Sequence, residues 1–146
     1  MRDVVIKSFV ELITFFDTIK KPQSTIFRGQ ANVEWALLPK SGRPEYNKYT
    51  RQFSEREVFE SWKRYALHFI NREPISDWDW LALAQHHGLA TRLLDWTKNP
   101  LTATFFAVSE QFSSDGAIYI HVMKKDYNPK VDDPFSFKGV GVFFPK

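Results

Sequence analysis

The sequence predicts a small α/β or α+β fold, a single domain with a small mixed sheet and about four helices. Segments with helical apolar spacing alternate with short runs of β-branched and aromatic residues. The 146 residues fit one domain and leave no room for two full ones. Aromatic residues make up 16% of the chain, and such large side chains give a short chain enough apolar area for a core.

Composition narrows the function classes. The chain has no cysteine, which excludes disulfides, thiolate catalysis and cysteine-based zinc sites. Twenty basic and 17 acidic residues are interspersed, so the net charge of +3 marks no basic block for nucleic acid. Charges at Arg2, Asp3, Lys7 and Glu11 interrupt any signal-peptide core. No stretch reaches the roughly 20 apolar residues of a membrane span. A cytoplasmic protein is expected, with no membrane partner.

The elements follow in order. Ser8 with Glu11 three residues later has the form of a capping box. It opens an N-terminal helix, within residues 1–24, whose face is Phe9, Ile13 and Phe16. Thr25 to Arg28 reads as a strand punctuated by Gly29, and Trp35 to Leu38 as a second extended stretch stopped by Pro39. A loop over 40–47 leads to a long helix from Tyr49 to Ile70, with Val58, Trp62, Tyr65 and Phe69 on one face. Ser76 or Asp77 caps a helix from Trp78 to His87, and Gly88 ends it. Asn99-Pro100 starts another helix with Leu101, Phe105 and Val108 buried. Asp115-Gly116 turns into a strand from Ala117 to Met123.

Two polar islands carry the candidate chemistry. In Phe27-Arg28-Gly29-Gln30 a guanidinium at a strand end can present a rigid fork to an anion, and Gly29 lets backbone or ligand come close. The alternative is an Arg paired inside the protein and a Gly that merely turns. The second island runs from Leu83 to Thr97. It places an amide, two imidazoles, two hydroxyls, a guanidinium and a carboxylate within 85–97. Neighbouring His residues on a helix point about 100 degrees apart, so His86 and His87 do not converge on one metal ion, and no metal site is expected. One His suits acid/base work and the other the helix end. Arg92 and Asp95 alternatively form a structural ion pair. If Asp95 pairs with a buried Arg, its loss should cost about 2–4 kcal/mol. Trp96 is expected to be largely buried. Because unpaired charge is costly in apolar surroundings, Arg28 and the Asp95 region are expected to form one site from two distant segments.

Together these motifs resemble the FRG domain, a family found mainly in bacteria and their phages. The resemblance rests on Phe27-Arg28-Gly29, Trp35, Pro39, Gln85-His86-His87-Gly88, Thr91 to Trp96, Asn99-Pro100-Leu101 and Phe105-Phe106-Ala107. It places the domain at 25–146. Members usually continue into a basic segment containing Gln-Gly, so a truncated domain is expected, with the apolar run Val140 to Phe144 either paired with the last strand or frayed. The family brings no settled activity. The expectation is a polar pocket for an anionic, nucleotide-like ligand, built from Arg28, Gln30, Gln85, His86, His87, Thr91, Arg92 and Asp95. The partner is a small anionic ligand or a protein, and NAD or another nucleotide is the candidate cofactor. By analogy with ADP-ribosyltransferases, His87 and Asp95 are the catalytic candidates, with Arg28 on a pyrophosphate and Thr91 or His87 on a ribose. The other classes are a non-catalytic sensor or interaction module and a purely structural scaffold.

Overall fold

The computed structural model describes residues 3–20, 24–46, 53–110, 113–122 and 133–136. Among these residues are four α-helices, one short 3-10 helix (Lys40–Gly42) and a two-stranded antiparallel sheet, the small α/β fold that the sequence predicts. The chain divides into two compact units, Met1–Trp35 with Trp96–Lys124, and Ala36–Asp95 with Lys125–Lys146.

The first unit holds α1 (Phe9–Asp17), β1 (Thr25–Gln30), α4 (Pro100–Val108) and β2 (Ala117–Val122). Ser8 caps α1 by accepting the Glu11 N–H, but Glu11 reaches back to the Lys7 N–H rather than to Ser8, so the box is half formed. Leu12 is the buried residue of α1, Phe9 is exposed, and Phe16 meets the Phe27 ring edge-on at 5.7 Å. The strands pair with Arg28 opposite Tyr119 and Gly29 opposite Ile118. On the other edge of β1, Phe27 exchanges two backbone hydrogen bonds with Thr97, of 2.7 and 2.8 Å.

Gly29 lies inside β1 and does not end it. Its role is steric, because a Cβ there would overlap the carbonyl oxygen of Ala103 in α4. Gly116 meets the same helix at the Ala107 carbonyl, where a Cβ would also overlap. The helix therefore packs through its smallest residues. Ala103 and Ala107 are buried, while Leu101, Phe105 and Val108, expected to face inward, are exposed. Helical spacing fitted both faces of this apolar helix, and the glycines opposite selected the alanine face. Between the two open readings of Gly29, the structure shows close approach of backbone.

The second unit holds α2 (Glu55–Ala66) and α3 (Asp77–His86). Both start with complete capping boxes, Ser54 with Glu57 and Ser76 with Asp79. Gly88 adopts φ +91° just beyond α3, the left-handed conformation that ends many helices. Phe59, Trp80, Leu81 and Ala84 form the core, bordered by Trp62, Ala66 and Leu93. Trp62 meets Trp80 edge-on at 6.2 Å. The buried face of α2 is thus Phe59, Trp62 and Ala66. Of the face expected for a helix reaching Ile70, Trp62 borders the core, Tyr65 is exposed beside the inward-facing Ala66, and Phe69 is exposed beyond the helix, which ends at Ala66. Residues 49–52 of the expected long helix lie outside the described residues. The stretch Trp35 to Leu38 is not a strand, and Leu38 closes a local turn by donating to the Ala36 carbonyl. The run Val140 to Phe144 also lies outside the described residues. No described helix is long and apolar enough to cross a membrane.

Two predictions follow from this packing. Gly29→Ala should destabilise by about 3 kcal/mol, because backbone rather than a flexible side chain must move. A urea midpoint unchanged from the parent would contradict the close approach. The second concerns Glu57, whose carboxyl is held below its ordinary value by the Ser54 backbone N–H first and the Ser54 hydroxyl second, with desolvation opposing. A lowered folded-state value means that the stabilisation is fully present above about pH 4.5 and is lost as pH falls through the folded value. Glu57→Gln should remove this component from the pH dependence of the melting temperature, whereas an unaltered acid limb would count against the cap.

Candidate functional site

Arg28 sits at the middle of β1. Side chains alternate along a strand, so Arg28 shares a face with Ile26 and Gln30 and points away from α4, which faces Gly29. Gln30 is buried and donates from Nε2 to the Trp35 carbonyl at 3.1 Å, a contact that shapes the turn after the strand. Arg28 and Gln30 belong to the first unit; the remaining candidate residues, up to Asp95, belong to the second.

In the second unit the run from Gln85 to Asp95 is organised by a chain of hydrogen bonds. Asp95 is exposed and its carboxylate only accepts, so it fixes the Gln85 amide with Nε2 toward Asp95 Oδ1, at 2.5 Å. Gln85 Oε1 then faces the Thr91 hydroxyl, which must donate, also at 2.5 Å. The Thr91 oxygen in turn accepts the Leu93 N–H at 3.2 Å. Thr91 is fully buried, so its hydroxyl needs these partners. The effect is to fix one exposed carboxylate from a buried anchor. Thr91 also ties the segment on its other side, because its carbonyl accepts the Ser41 N–H at 3.1 Å.

His86 closes α3 and His87 is its C-cap. Both are exposed, and their rings meet edge-on with centroids 5.4 Å apart and planes at 84°. His87 also lies 6.3 Å from the Trp62 ring. Lys40 donates to the Gly88 carbonyl at 3.1 Å, which places an ammonium one residue beyond His87. Lys40 was not a candidate in the sequence, because its loop is 48 residues away along the chain.

Arg92 is held within the protein, but not by the partner that the structural alternative named. Instead of Asp95 it binds Glu55, the first residue of α2, from Nε at 2.9 Å and Nη2 at 2.6 Å. The Arg92 backbone N–H donates to the other Glu55 oxygen at 2.9 Å. Nη1 donates to the Pro134 carbonyl at 2.8 Å, and the guanidinium lies over the Phe135 ring at 4.9 Å. All three guanidinium nitrogens thus hold protein. Glu55 was missed because an acidic residue in a first helical turn is ordinary and nothing local points 37 residues ahead. Trp96 is partly exposed but mostly buried, as expected, and packs on the His121 ring at 6.2 Å. Among the described residues no three His, Asp or Glu side chains converge as a metal-ligand set.

The FRG domain model matches residues 23–116, so the motif-bearing part of both units lies within it, and the chain belongs to the FRG domain family. No curated protein and no solved structure matches the chain.

The two acidic residues of this region should separate by energetics. Glu55→Gln removes the charge that compensates a half-buried guanidinium and should cost about 2–3 kcal/mol, below the fully buried value because the pair is partly solvated. Asp95→Ala removes the acceptor of the Gln85 amide at an exposed position, a loss of about 1 kcal/mol for that hydrogen bond. Chemical denaturation of both variants checks the order, and Asp95→Ala as the more damaging change would reverse the assignment.

Proposed function

We propose that this FRG domain binds an anionic, nucleotide-like small molecule at the surface formed by Asp95, Gln85, His86, His87 and Lys40. The observation that carries it is the exposed Asp95 carboxylate, oriented by Gln85 from the buried Thr91. A carboxylate held this way accepts hydrogen bonds from donors, and a ribose offers two hydroxyls. Two imidazoles and an ammonium in the same region suit a phosphate. That combination fits a sugar phosphate better than a bare anion, which Asp95 would repel. Arg28 remains the candidate anion-binding group of the first unit. The absence of cysteine accords with a cytoplasmic location.

A second reading, NAD-directed group transfer, draws on the same Asp95, now as the group that steadies a reacting ribose, with His87 as acid or base. Turnover separates it from binding alone. Calorimetric titration with ADP-ribose, NAD and inorganic phosphate tests the first reading. ADP-ribose should bind more tightly than phosphate, and Asp95→Asn should weaken it about tenfold, the worth of a hydrogen bond to a charged group. Equal affinity of wild type and Asp95→Asn, or no heat from any nucleotide, would overturn the reading. Release of nicotinamide from NAD by the wild type, lost in Asp95→Asn, would favour the enzyme.

A further inference from the structure

Residues 133–136, Asp-Pro-Phe-Ser, lie beyond the family match and dock on α2 as a self-contained turn. The turn is organised from within. Phe135 N–H donates to Asp133 Oδ1 at 3.0 Å, and both the Ser136 N–H and its hydroxyl donate to the Asp133 carbonyl at 3.1 Å. Its outward contacts are those of a recognition motif. Asp133 pairs with Arg56 at 3.1 Å, Pro134 is fully buried and its carbonyl accepts from Arg92, and the Phe135 ring packs on Phe59 at 5.2 Å. The same ring lies between two guanidinium groups, Arg56 at 5.6 Å and Arg92 at 4.9 Å.

We infer that Arg56, Phe59 and Arg92 form a docking cleft for an acidic-proline-aromatic turn, and that residues 133–136 are its tethered occupant. Each part of the turn meets a separate recognition element: the carboxylate an exposed arginine, the proline carbonyl a fixed N–H, and the ring an aromatic floor between two cations. Two of the three cleft residues are held from outside the turn as well, because Glu55 holds Arg92 by three hydrogen bonds and Phe59 belongs to the core of the second unit. A turn ordered by its own hydrogen bonds loses little entropy on docking. The same cleft therefore accepts such a turn from another protein whenever the tethered one is displaced. This inference stands whether or not the domain binds a nucleotide.

The test uses the full chain carrying Phe135→Ala, and a synthetic peptide of residues 131–137 labelled with a fluorophore. A tethered competitor acts at an effective concentration on the order of millimolar. Removing its ring should therefore raise the apparent affinity for the free peptide at least about tenfold over wild type, and Arg56→Ala in the same background should abolish the gain. Asp133→Ala, which loses the partly exposed ion pair and the acceptor of the Phe135 N–H but keeps the ring, is the second variant and should show a smaller gain in the same direction. Peptide affinity that is the same in wild type and both variants, or that survives Arg56→Ala, would overturn the inference. Unfolding of Phe135→Ala together with no gain in Asp133→Ala would overturn it too, by showing that the turn is part of the core.

Discussion

The second unit depends on satisfying one guanidinium. Arg92 is half-buried, and a cation in that position is tolerated only if its donors find acceptors and its charge finds a counter-charge. Glu55 supplies both, taking Nε, Nη2 and the backbone N–H of the same residue. This fastens the start of α2 to the connector after α3. From that fixed point the neighbouring Thr91 and Leu93 can build their short hydrogen-bond chain to Gln85, and Asp95 is left facing solvent with a defined orientation. The apparently catalytic run thus divides into a residue that holds the connector and residues that it presents.

The first unit depends on a different constraint, the absence of side chains. Gly29 and Gly116 leave room for α4 to press its Ala103 and Ala107 against the sheet. The glycine of the Phe27-Arg28-Gly29 motif is accounted for by this contact. The arginine beside it is not, since strand alternation turns it to the opposite face.

Much of this was legible in the sequence for local reasons. The caps at Ser8, Ser76 and Asn99, the proline at the start of α4, the left-handed Gly88 and the two strands all follow from residues a few positions apart, whereas the Ser54 cap lies inside the stretch that apolar spacing assigns to a helix from Tyr49. The failures are those where a distant partner decides. Apolar spacing offered α4 a large-residue face, and glycines elsewhere in the chain selected the small one. Around α2, helical spacing fitted a face running from Tyr65 to Phe69 as well as Phe59 and Ala66, but the helix stops at Ala66. The polar island was found as a set, but its internal pairing was not. Nothing in the local sequence distinguishes Asp95 from Glu55 as the partner of Arg92, and nothing announces that a Pro-Phe turn outside the family match docks on the same guanidinium.

The division of labour between Arg92 and Asp95 is the centre of this account, and Arg92 can be observed directly. Its Nε–H resonance, assigned in a nitrogen-15 labelled protein by its loss in Arg92→Lys, reports whether protein or ligand holds the guanidinium. The account predicts a slowly exchanging signal that is present without ligand, unmoved by saturating ADP-ribose and lost in Glu55→Gln. A signal that emerges or shifts only when the nucleotide is added would make Arg92 a ligand-binding group and contradict the structural role given to it.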